Sequence, residues 1–267
     1  MSDVAPYPPP QHVLRDLALE VESRPDDTAT GWLHVTSHLL DDGGAPDLGA
    51  LAMLVDVLGG GLSIRAVLPD WAATADLALQ LLGVGVAPGD TVQADARVVR
   101  KGRTTLVTEV DLRRTSDGTT LGWGSMTFSV LPRRDDTLEW SGDDGASQVT
   151  RTAFGADGPQ FTRPLADAVG ATVTEPGVVV LPYTDYVRNS FGAVQGGVVA
   201  LLGATAGRSA LGGAPVLDLH VAYLAQARTG PVVATADVLG PGAATVRLVD
   251  TGAGDRLTTV VHVGTAA

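Results

Sequence analysis

Two apolar helical segments lie about half a chain apart, and each carries what the other lacks. The first, from Gly49 to Gly59, holds one carboxylate, Asp56, inside an otherwise apolar run. The second, from Val198 to Arg208, has no carboxylate, but Asn189, Gly192, Gln195, Gly196 and Gly197 form a polar, glycine-rich turn ahead of it. An internal match of this kind constrains the fold more than any local propensity, because each copy becomes one supersecondary unit. Two half-sites on two copies predict one composite site.

The flanking segments extend the match. Thr74 to Leu79 resembles Val216 to Val221, and the alternating run Val92–Gly102 resembles Val232–Gly242, each ending in a glycine turn. Thr105–Leu112 and Ala244–Asp250 then run into the hairpin signals at Ser116–Gly118 and Gly252–Asp255. Period-two alternation bounded by glycine and aspartate reads as antiparallel strands. Each half therefore reads as strand, helix, then three or more antiparallel strands, an α+β unit whose sheet wraps a buried helix. The boundaries expected are a first repeat over 12–132, a connector over 133–163 rich in Gly, Asp and Ser, and a second repeat over 164–267.

Composition narrows the chemistry. With 267 residues and 45% hydrophobic but only 4% aromatic side chains, Val, Leu and Ala must fill the core. A formal charge of −12 with a single lysine, Lys101, argues against a nucleic-acid partner, which needs a basic face. The absence of cysteine rules out thiol nucleophiles and zinc–cysteine sites. The N-terminus lacks the pattern of a signal peptide, and the apolar stretch from Gly49 to Leu68 is broken by Asp56, Arg65 and three glycines. The expectation is a cytoplasmic, globular chain with no membrane span.

The spacing of Asn189, Gly192, Gly196 and Gly197 resembles the phenylacetyl-CoA thioesterase-type pattern Asn-x-x-Gly-x-x-His-Gly-Gly, with Gln195 at the His position. The chain resembles a double hotdog acyl-CoA thioesterase, two hotdog repeats fused in one polypeptide. In that pattern an Asp follows nine residues after the His; here that position is Ala204, while counting back nine from Asp56 reaches Asp47 in a stretch without the Asn and paired glycines. The resemblance implies a site between the repeats, with Asp56 as base or nucleophile facing Gln195, Gly197 and Asn189, and an inert mirror site at Ala204. It also implies an acyl-CoA substrate, no metal or redox cofactor, and assembly into homo-oligomers.

Each role has a physical reason. Apolar neighbours raise the pKa of Asp56 by desolvation and make it a better proton acceptor. The amide of Gly197, at a helix start, suits a developing oxyanion, a donor of the kind worth ~3 kcal/mol in a transition state. Gly196 lets a substrate lie against the backbone. Gln195 both donates and accepts, Asn189 braces the turn or touches the same water, and Thr74 reaches Asp56 from the following strand. Arg100, Lys101 and Arg103, with Arg97, form the basic cluster for coenzyme A phosphates, against the plainer reading of a solvated hairpin tip. Asp250-Thr-Gly has no second copy to make a protease, His34 and His38 lack a third metal ligand, and no nucleophile elbow or phosphate loop occurs. Two rivals stand: a non-catalytic acyl-CoA binder, and an acyl-thioester hydratase or dehydratase, which pairs Asp with a His absent from the Gln195 turn.

Overall fold

A computed structural model describes residues 7–41, 44–133, 148–155 and 158–265. The first half runs α1 (Val13–Leu17), β1 (Glu20–Ser23), β2 (Thr28–His34), α2 (Leu48–Val67), β3 (Trp71–Leu81), β4 (Thr91–Lys101), β5 (Thr105–Arg114) and β6 (Thr120–Leu131). A short strand, β7 (Thr150–Ala153), follows. The second half repeats the first: α3 (Leu165–Ala168), β8 (Thr172–Glu175), β9 (Val178–Leu181), α4 (Gly196–Ala210), β10 (Val216–Tyr223), β11 (Val232–Gly240), β12 (Ala243–Asp250) and β13 (Arg256–Thr265).

All strands join one antiparallel sheet in the order β7-β1-β2-β4-β5-β6-β3-β10-β13-β12-β11-β9-β8. Set β7 aside and the order reads the same from either end, each half in mirror sequence around the β3–β10 seam. There Leu77 faces Val221 and Leu79 faces Leu219, all fully buried. The segment expected to be a connector contributes β7 to the sheet edge, paired to β1 from Glu20↔Ala153 to Ser23↔Thr150. Residues 134–147 of that segment lie outside the described residues.

The sheet curls around α2 and α4. The 20-residue α2 is apolar on every side and long enough to cross a bilayer by length and composition, but here it is core, with the run Leu48–Val55 buried throughout. Asp47 starts it, its Oδ1 accepting from the amides of Gly49 (2.8 Å) and Ala50 (3.2 Å). Gln195 starts α4 in the same way, its side chain accepting from the Val198 amide.

The helices touch through glycine. A Cβ on Gly49 would lie 2.8 Å from the Leu201 Cα, and one on Gly197 would lie 2.5 Å from the Met53 Cα. The two contacts are the same contact seen from either repeat, and both are too close for any side chain. They set the helix spacing that brings Asp56 of α2 to the first turn of α4.

A paired substitution tests this. Gly49→Ala should destabilise by roughly 2 kcal/mol, because the Leu201 Cβ and Cα oppose the added methyl along with the side-chain tip, and these cannot swing aside. Gly61→Ala, on the same helix with no atom within 4 Å of the added Cβ, should stabilise by roughly 0.5–1 kcal/mol. Denaturant unfolding of both variants reads the difference.

Candidate active site between the repeats

The C-terminal turn is built by Asn189. Its Oδ1 accepts from the amides of Phe191 (2.9 Å) and Ala193 (3.0 Å), and its own amide donates to the Ala193 carbonyl (2.7 Å). Gly192, at φ 72°, supplies the left-handed residue that the turn needs. Val194 then bridges to Arg188, and the Gln195 amide donates to the Val187 carbonyl, which fixes where α4 begins. Of the two roles expected for Asn189, the structure shows the bracing one.

The first repeat has this turn too, which corrects the expectation that it is missing. Asp41 stands for Asn189: its Oδ1 accepts from Ala45 (2.9 Å) and its amide donates to the Ala45 carbonyl (2.8 Å). Gly44 at φ 76° stands for Gly192, Leu40 bridges to Pro46, and the Asp47 amide donates to Leu39. The sequence conceals the copy because a short carboxylate accepts amide bonds as well as a carboxamide does. The repeats differ one step later, at the helix start.

At that step Asp56 reaches across. Its Oδ2 accepts from Gln195 Nε2 at 2.7 Å and from the Gly197 amide at 3.2 Å, and its Oδ1 accepts from Thr74 Oγ1 at 3.4 Å. Gln195 is oriented by its second task. Its Oε1 accepts from the Val198 amide at 2.9 Å, so Nε2 must point at the carboxylate. A Cβ on Gly196 would lie 2.9 Å from both carboxylate oxygens, so only glycine admits Asp56 there. Burial pushes the Asp56 carboxyl up to about 6, with the Gly197 amide and the Thr74 hydroxyl pulling the other way.

The structure thus brings together Asp56, Gln195, Gly196, Gly197 and Thr74. It revises one expected detail: the Gly197 amide, expected to face a substrate oxygen, is held by Asp56. Of the first-turn amides of α4, only that of Gly196 makes no hydrogen bond to any described residue. Arg100, Lys101 and Arg103 lie elsewhere, exposed around the β4–β5 hairpin. Lys101 Nζ donates to the Ala66 carbonyl at the C-terminal end of α2, about ten residues and ~15 Å along the helix from Asp56.

Sequence reading missed Tyr223. This β10 residue donates its hydroxyl to the Gly196 carbonyl at 2.9 Å and so anchors the first turn of α4. Burial raises its phenol well above the ordinary range, and the charges of Asp56 and Asp76 add to the shift. Trp71 and Phe191 were missed as well; their rings meet edge to face at 4.9 Å, joining the start of β3 to the C-terminal turn. No spacing signals either feature, since sheet pairing and turn closure create them.

The mirror site is a cavity of about 120 Å³ lined in part by Asp47, Leu48, Leu201, Ala204 and Arg208. Here Leu48 stands where Gly196 stands in the composite site, and Ala204 where Asp56 stands. The Gly49 amide, counterpart of the Gly197 amide, is occupied by Asp47 of its own turn. Asp250, of the protease-like triplet, is structural: its carboxylate accepts from the amides of Arg228, Thr229 and Gly230.

Comparison with known proteins agrees with this architecture. Residues 49–121 match the model of the thioesterase superfamily. An acyl-ACP thioesterase from Bacteroides thetaiotaomicron superposes with a TM-score of 0.61 at 14% identity, covering 91% of this chain and 100% of that one. The 12:0-ACP thioesterase from Umbellularia californica gives a TM-score of 0.63 at 10% identity, covering 90% and 97%. No curated protein sequence matches the chain. The thioesterase-superfamily match thus falls on the first repeat, and the chain as a whole shares the double hotdog architecture of these structures.

Proposed function

We propose that this chain hydrolyses an acyl-CoA thioester to the free acid and coenzyme A at one composite site between its repeats. The observation that carries the reading is the Asp56 carboxylate of the first repeat seated on the first turn of α4 in the second. A carboxyl near pKa 6 is mostly ionised at neutral pH yet basic enough to take a proton from water. Oδ2 is anchored by two donors, and Oδ1, with only the long Thr74 contact, is the reacting oxygen.

In the water route, Oδ1 removes a proton as the water oxygen bonds to the thioester carbon. The carbonyl π electrons move to its oxygen, which the Gly196 amide receives at the positive end of α4. Once Asp56 is protonated its hold on the Gly197 amide weakens, and that amide becomes a second donor. Collapse of the adduct breaks the C–S bond, and the departing thiolate takes the proton from Asp56. In the nucleophilic route Oδ1 itself bonds to the carbon, and the C–S bond breaks as the thiolate departs. Water then attacks the Asp56 carbonyl of the resulting anhydride, releasing the acid and a proton to the thiolate. Single-turnover hydrolysis in ¹⁸O-water separates the two, because only the second leaves label in Asp56.

The basic cluster favours coenzyme A over a carrier protein as the leaving group. Arg100, Lys101 and Arg103 offer local cations for phosphates, whereas a chain of net charge −12 repels an acidic protein partner. A thiol-release assay across short, long, branched and aromatic acyl-CoA substrates tests the activity, with the same acyl groups on a carrier protein as comparison. Coenzyme A binding without any turnover would instead support the non-catalytic reading.

Asp56→Asn should lower kcat at least a hundredfold while retaining binding, and wild-type kcat/KM should fall as pH drops through about 6. The same variant should be more stable at neutral pH. Because folding raises this pKa from 3.8, the native state binds the proton more tightly than the unfolded chain. The benefit of the neutral carboxyl is complete below about pH 4 and is lost as pH rises through about 6, leaving the charged group costing roughly 3 kcal/mol. Asparagine should recover about 1–3 kcal/mol at pH 8 and almost none at pH 4, read by denaturant unfolding at both.

Ala204→Asp should not raise kcat, since Leu48 fills the place where a carboxylate would sit and Asp47 holds the Gly49 amide. A doubling of turnover per chain in that variant would show the mirror site to be competent.

A further inference from the structure

The N-terminal strap ahead of α1 has no part in the chemistry above, yet it is firmly held. Arg15 clamps it with three bonds, Nε to the carbonyls of Pro8 (3.0 Å) and Pro9 (2.8 Å) and Nη2 to that of Pro8 (2.8 Å). Fully buried His12 caps α1 by accepting from the Leu14 amide at Nδ1 (3.1 Å). Its Nε2 lies 2.9 Å from the Arg188 carbonyl and 3.4 Å from the Tyr7 hydroxyl. Tyr186 adds a second link, donating to Asp16 Oδ2 at 2.8 Å. A segment at the start of the first repeat is therefore fastened to the turn of the second repeat that delivers Gln195.

The internal symmetry says what that place is. In the mirror site the corresponding residues are Pro164, at the start of α3 where His12 starts α1, and Ala166 within α3, and both line the cavity together with Asp47 and Ala204. The equivalent wall of the composite site falls to His12 and the strap that packs on it. Tyr7 stands 40% exposed, with its ring edge-on to His12 at 5.2 Å. Burial raises its phenol well above the ordinary range, and the charge of Asp56 contributes, so the hydroxyl end lies within electrostatic reach of the reacting carboxylate.

We infer that the Tyr7 ring, held by the Arg15–proline clamp and His12, forms a wall of the composite site and limits the width of acyl group it accepts. The inference rests on the acyl-CoA reading of the site. It assigns Tyr7 a specificity role through contact with substrate and no part in bond making. An aromatic ring at a half-open mouth excludes bulk by its volume, so the ring matters more than the hydroxyl.

The test compares linear acyl-CoA substrates with α-branched and ring-bearing ones on the full chain. Tyr7→Ala should raise the ratio of kcat/KM for bulky over linear substrates about tenfold, and Tyr7→Phe should leave it near the wild-type value. Arg15→Ala, which loosens the strap but keeps the ring, should raise the ratio by a smaller factor. Kd values for matching non-hydrolysable S-alkyl coenzyme A thioethers should show the same ordering. An unchanged ratio in Tyr7→Ala, or a uniform loss for every substrate, overturns the assignment. The thioethers keep the two readings distinct: a wild type that hydrolyses nothing defeats the thioesterase proposal, while the Kd ratio still decides the role of Tyr7.

Discussion

One charge placed against one helix end organises this molecule. Asp56 on an apolar helix is costly by itself, and the opening turn of α4 makes it tolerable through Gln195 Nε2 and the Gly197 amide. That contact needs two helices closer than side chains allow, hence Gly49 against Leu201 and Gly197 against Met53. It also needs the C-terminal turn fixed in register, hence the Asn189 bonds, the Val194–Arg188 bridge and the Tyr223 anchor. The burial that makes the carboxylate a poor stabiliser is what lifts it towards a useful proton affinity.

Much of this was legible in the sequence because repetition is legible. A lone carboxylate in the run around Asp56 and a polar, glycine-rich turn at Asn189–Gly197 are anomalies of composition, and the paired strand patterns supplied a fold in which they could meet. The reading failed where chemistry is conserved but residue type is not. Asp41 and Gly44 rebuild the turn of Asn189 and Gly192, yet by letter they match no motif. It also missed groups joined only by tertiary structure, such as the Tyr223 hydroxyl on the Gly196 carbonyl. The Gly197 amide was a reasonable oxyanion donor from its place at a helix start, but sequence does not show that Asp56 already holds it.

The two sites of the chain form a natural control. They share a turn, a cap and a glycine contact, and differ in a few side chains. In one, glycine at the first helical position leaves room for the carboxylate of the other repeat. In the other, Leu48 takes that room, and the acid has moved to the cap as Asp47, where it serves its own helix amides. A carboxylate turned inward to cap is a stability device, whereas one turned outward across the interface is the group we propose to react.

The unbroken ladder across the β3–β10 seam has a consequence for inheritance. Were the halves separate, identical subunits, every change would appear twice and each half-site would be needed in every copy. Backbone pairing within one chain gives each half a permanent, non-identical companion. A change confined to Ala204 then leaves the composite site intact, because that site takes its carboxylate from Asp56 of the other half. The fused pair is thereby free to differ at its two pseudo-symmetric sites, as it does at Gly196 against Leu48 and Asp56 against Ala204.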